Sequence, residues 1–106
     1  MTAARIILAP GAAVIEMLCR RIHHEAKAKL EAHHFDAVGL IQTNIPNLYY
    51  YADIGQKAGN VLPIEINGNC PQHFSTLAFF GDTAAVSAAM QAVKNIEINN
   101  ERSKNC

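Results

Sequence analysis

The feature that most constrains this chain is a long stretch nearly free of charge. From Ala37 to Gly81 only Asp53, Lys57 and Glu65 are charged. The flanks differ, with nine charged side chains in residues 1–36 and six in residues 82–106. A segment so poor in charge must supply most of the core, and it can supply a subunit interface as well. Half of the 106 residues are apolar and 17% are charged, which excludes a disordered chain and fits one domain. Nine basic residues balance nine acidic ones. That balance offers no net basic face for nucleic acid, and it removes the repulsion that opposes self-association. No apolar run approaches the ~18–20 residues that span a bilayer, so no membrane is expected as a partner. The opening MTAARIILAPGAAVIE lacks the order of a secretory signal, and a cytosolic chain is expected. Cys19, Cys70 and Cys106 are odd in number and widely spaced, a poor basis for a disulfide framework.

Periodicity sets out the elements. Phe35–Thr43 (FDAVGLIQT) is a near-continuous apolar run and reads as a buried strand. Asn44 and Pro46 signal a helix start, and Gly59-Asn60 its end. Val61–Ile66 alternates as a strand does, Asn67–His73 has turn chemistry throughout, and Phe74–Gly81 is a further strand. Asp82 or Thr83 caps a last helix that carries to about Lys94. The tail 95–106, rich in Asn, Lys, Glu and Ser, reads as a flexible linker, which leaves residues 1–94 as the domain. The order predicts an α+β sandwich: helices on one face of a mainly antiparallel sheet, a first crossover that makes a parallel pair, then a hairpin. Residues 1–34 stay open. Val14–Leu18–Ile22 and Ala26–Leu30–His34 fit one helix stripe, but Val14–Ile22 fits a strand equally well.

Three motifs then coincide in order: AVGLIQT (Ala37–Thr43), ADIGQKAGNV (Ala52–Val61) and FFGDTAAVSAAMQAV (Phe79–Val93). Together they resemble the bacterial microcompartment (BMC) shell domain over residues 37–94. RIILAPGAAV (Arg5–Val14) resembles the start of the circularly permuted members, with residues 1–12 as an N-terminal extension. The resemblance implies a circularly permuted BMC sandwich, with Ala13–Arg20 as a strand and Ile22–His33 as a helix. It also implies that Arg5–Leu8 projects beyond the sheet and joins its symmetry mates in a small barrel. Gln42 stands where many relatives have Glu, and Tyr49–Tyr51 is an unusual aromatic run for its helix.

The loop GNCPQ (Gly68–Gln72) resembles the Cys-containing pore loop of shell proteins from glycyl-radical propanediol microcompartments. That resemblance implies an iron–sulfur cluster, of the 4Fe-4S kind, at the pore of a hexamer. Iron–sulfur clusters need several thiolates, and one chain offers only Cys70 in this loop. The cluster would therefore be shared between subunits, with copies of Cys70 converging on the symmetry axis. Six equivalent thiolates cannot each take one iron of four, so a subset would bind. Zinc on several Cys70 copies is a lesser rival. Gly68 can take a positive φ, and Pro71 holds Cys70 toward an extended backbone, which makes the direction of the thiol reproducible. Asn67, Asn69 and Gln72 can donate amide hydrogen bonds to pore water or cluster sulfur, or can simply make a tight turn. His73 can line the pore mouth.

Lys57 has two readings. By resemblance it sits with Asp53 at the oligomer edge and packs against its counterpart in the next oligomer. By spacing alone it is a solvated Lys paired with Asp53 one turn earlier. His23-His24 and His33-His34 are ten residues apart, about 1000° around a helix and roughly 80° off a shared face, so they read as surface or interface histidines. Tyr49–Tyr51 and Phe79-Phe80 read as core and interface packing.

No motif for a catalytic Ser, a nucleotide or a zinc protease is present, so no enzyme is expected and no catalytic residue is assigned. The leading expectation is a shell protein that tiles with other shell proteins, within the cytoplasm, and serves electron transfer to a partner or redox sensing across the shell. The rivals are a metal-free shell protein whose loop gates small polar metabolites, and an unrelated small α+β ligand-binding protein.

Overall fold

The computed structural model describes residues 3–67 and 74–104, the last five of these as backbone. Four strands and four helices follow in the order β1 (Ala3–Leu8), α1 (Ala12–Cys19), α2 (His24–Glu31), β2 (Ala37–Asn44), α3 (Ile45–Ala58), β3 (Leu62–Ile66), β4 (Phe74–Gly81) and α4 (Thr83–Lys104). The strands form one sheet in the order β1-β2-β4-β3, and every ladder is antiparallel.

The charge-poor stretch is the centre of this sheet. Alternate residues of β2 and β4 face opposite sides. Ala37, Ile41, Leu77 and Phe79 join Leu48 and Tyr51 of α3 and Val86, Ala89 and Met90 of α4 in one cluster. Val38, Ala78 and Phe80 join Ile64, Ile22 and Leu30 in a second cluster on the other face, with Leu18 and Cys19 of α1 packed against it. Both faces are covered, so β2 reads as a continuous apolar run although its neighbours are antiparallel.

Two glycines let the layers close. A Cβ on Gly39 would lie 2.6 Å from the sulfur of Met90, and one on Gly55 would clash with the ring edge of Phe79. The helix starts follow local chemistry. Asn47 N–H donates to Asn44 Oδ1 (2.9 Å) at α3, and Ala85 N–H donates to Asp82 Oδ1 (2.7 Å) at α4. Glu25 N–H donates to His23 Nδ1 (3.3 Å) at α2.

Several expectations need correction. Ala13–Arg20 is not a strand but the helix α1, whose half-buried Val14, Ile15, Leu18 and Cys19 follow helical spacing. The predicted helix over Ile22–His33 shortens to His24–Glu31; Ile22 is buried in the turn before it, and His33 follows it. Helices cover both faces of the sheet, not one. The crossover through α3 does not make a bonded parallel pair, because β4 inserts between β2 and β3. Arg5–Leu8 does not project beyond the sheet. It belongs to β1, which pairs with β2 in the register Arg5↔Leu40 and Leu8↔Ala37. The last helix runs past Lys94 to Lys104, with Ile96 packed against the core and Tyr51 Oη donating to Glu97 Oε1 at 3.3 Å.

Candidate pore loop and assembly surfaces

The β3–β4 connection carries the chemistry expected of this chain. Its first residue, Asn67, is exposed, and its N–H donates to the carbonyl of Arg21 (2.8 Å). The Arg21 guanidinium reaches back to the carbonyl of Asn67 (3.4 Å). This double contact ties the start of the loop to the turn between α1 and α2. Both contacts use the main chain of Asn67, so its position rather than its amide side chain does this structural work. At the other end Phe74 is 46% exposed, and one residue on Ser75 Oγ donates to Glu65 Oε2 (3.2 Å). Gly68, Asn69, Cys70, Pro71, Gln72 and His73 lie outside the described residues, as does Cys106.

The chain's own donors set limits on any cluster. Cys19 is half-buried on α1 against the second apolar cluster, as a small hydrophobe would be. Among the described residues, no grouping of metal-ligand types includes a cysteine. The described residues of one chain thus supply no second thiolate beside the loop, and an iron–sulfur cluster needs several.

The one described grouping of metal-ligand types is His23, His24 and Glu25, all exposed, with donor atoms within 4.8 Å. His23 Nδ1 already accepts the helix-capping hydrogen bond, so its other nitrogen carries the proton. The positive end of α2 further opposes a cation there. His33 and His34 lie beyond α2, and His34 Nε2 stands 3.1 Å from Asp36. The two His pairs do not share a helix, and the four histidines are not brought together.

On α3, Tyr49, Asp53 and Lys57 follow one another at four-residue steps along the outer face. Lys57 Nζ lies 2.8 Å from Asp53 Oδ2, and both side chains are mostly solvated. The hydrogen bond to Asp53, then its charge, raises the Lys57 pKa, so the ammonium is held. Tyr49 (62%) and Tyr50 (50%) are exposed aromatics beside this pair, whereas Tyr51 turns inward at 2%. Burial first, and the Glu97 carboxylate second, push the Tyr51 hydroxyl up to about 12.

This arrangement is a layered sheet with a loop at one end and exposed aromatic and apolar surface on its helices. It belongs to a known class. Residues 37–104 match the BMC domain, and the chain belongs to that family. It is similar to the GrpU microcompartment shell protein from Pectobacterium wasabiae, in a ligand-free structure, at 40% identity and a TM-score of 0.73. That likeness covers 87% of this chain and 99% of that one. The ligand-free GrpU shell protein from Clostridiales bacterium 1_7_47FAA is 33% identical with a TM-score of 0.60, over 90% of this chain and 94% of that one. The trimeric shell protein PduB shares the fold at 22% identity and a TM-score of 0.55, over 90% of this chain and 39% of that one. No curated protein matches the chain. The chain is thus a shell protein of a bacterial microcompartment. None of the helices among the described residues is long and apolar enough to cross a membrane.

Proposed function

We propose that six copies of this chain close a ring, that rings tile through the Asp53–Lys57 face of α3, and that the loop Gly68–Gln72 lines the central pore. In this reading Cys70 from several copies holds a 4Fe-4S cluster there. The observation that supports it is where GNCPQ falls in the sequence, between β3 and β4. The segment connects the antiparallel strands β3 and β4 of a shell domain that is 40% identical to GrpU. A hairpin connection at one end of the sheet is where a ring can gather six copies of one residue.

The residues divide the work. Arg21 and Asn67 fix where the loop leaves the sheet. Pro71 restricts the backbone before it, and so aims Cys70 reproducibly. Asn69 and Gln72 supply amide donors, and His73 lies at the end of the loop. Bound there, a cluster supplies one-electron transfer, which makes a redox protein on either side of the shell the natural partner.

Circular permutation belongs to the same proposal. The family match begins at Ala37, yet β1 completes the sheet ahead of it and α1 and α2 cover its second face.

The test is anaerobic purification with iron and sulfide quantitation and electron paramagnetic resonance of the reduced protein. Wild type is expected to carry iron, sulfide and a cluster signal, and Cys70→Ser to lose all three. No iron in either protein after reconstitution would leave a metal-free pore that gates small polar metabolites.

A further inference from the structure

Two surfaces have no partner among the described residues. The first is the outer face of α1. Its sequence, AAVIEMLC, is apolar but for Glu16, and none of its eight residues is buried. Leu18 and Cys19 lean on the second apolar cluster, while Ala13 and Met17 form a row turned to solvent, Met17 at 63% exposure. In the adjacent row Glu16 and Arg20 stand one turn apart, solvated and 3.4 Å from each other.

The second is a groove of about 790 Å³ between β1 and α4. Ile6, Ile41 and Met90 contribute its apolar lining, and its charged rim is Arg5 of β1 with Lys94 and Glu97 of α4. Lys94 forms no ion pair with another described residue. The groove adjoins an open sheet edge. The opposite edge, β3, carries Pro63 and Glu65, which discourage pairing. β1 has one charge, Arg5, but no proline, so its flank is less protected.

We propose that the β1–α4 groove receives α1 of a second copy of this chain. Ala13 and Met17 lie on the apolar lining, Glu16 stands beside Lys94, and Arg20 beside Glu97. The inference rests on the ring assembly proposed above and names its contact.

Charge and spacing both support this occupant. Four residues of α1 rise about 6 Å and three of α4 about 4.5 Å, so both ion pairs can form at once with the helices running in the same direction. α1 packs on the sheet face that holds Val38 and Phe80, whereas the groove opens on the face that holds Ile41 and Met90. α1 therefore cannot fill the groove of its own chain. The two surfaces are different patches of one molecule, so their contact is head-to-tail, the kind that closes into rings.

Charge reversal separates this contact from any other. Glu16→Lys and Lys94→Glu each change one exposed residue, and far-UV circular dichroism checks that both variants fold. Analytical ultracentrifugation at low salt should show each single reversal raising the dissociation constant about two- to fivefold per interface, and the double variant restoring assembly. Single variants that assemble as wild type does, or a double variant that fails to recover, would overturn this contact and leave the ring itself standing. A wild type that stays monomeric at every concentration would overturn both.

Discussion

At the residue scale, this fold depends on places where a side chain is missing. Gly55 lies inside α3, where Ala would gain about 1 kcal/mol of helix propensity. Its missing Cβ is the space taken by the ring of the fully buried Phe79. Overpacking a closed core costs about 1–3 kcal/mol, and an enclosed aromatic ring has little room to retreat. Gly55→Ala is therefore expected to lower stability in a denaturant titration, and a variant as stable as wild type would contradict this packing. Residue identity in the sequence pointed to some tasks and concealed others. Asn44 and Asp82 announced their caps by type and position. His23 did not, because a histidine accepts a capping hydrogen bond only in one tautomer, and spacing does not reveal the tautomer. Asn67 looked like a loop residue, and its bond to Arg21 depends on a contact 46 positions away.

At the element scale, the legible parts were those whose neighbours are close in sequence. α3 ends at Ala58, just before Gly59, and β3 and β4 form the expected hairpin. The placement of β4 between β2 and β3 was not legible, since strand order is decided by which apolar runs need cover on both faces. α1 was misread through resemblance, although Val14, Ile15, Leu18 and Cys19 carried helical spacing. α4 outran its expected end because Ile96 and Glu97 find partners on the core and on Tyr51. That last contact has a pH signature. The Tyr51 hydroxyl is raised from 10.0 to about 12, so the unfolded chain loses this proton at lower pH than the folded one. Stability from this group is complete below pH 10 and falls as pH rises toward 12. Tyr51→Phe is expected to flatten that alkaline fall, as read from chemical denaturation at pH 8 through 12. An unchanged slope would show that another group is responsible.

At the scale of the whole molecule, the sequence and the fold agree on self-association. Net charge is zero, Leu8 (60%) and Met17 (63%) are exposed, and Tyr49 stands outward beside Lys57. Exposed apolar surface of this kind marks interaction sites, and the proposed ring and sheet contacts would bury it. The family was legible because three motifs fall on β2, α3 and the β4–α4 junction, the elements that build the sheet and its first helical layer. The assembly claim is tested most directly by native mass spectrometry of the full chain, followed by electron microscopy of the concentrated protein. The account predicts a six-subunit species that grows into flat sheets. A monomer at every concentration, with no sheets, would contradict it.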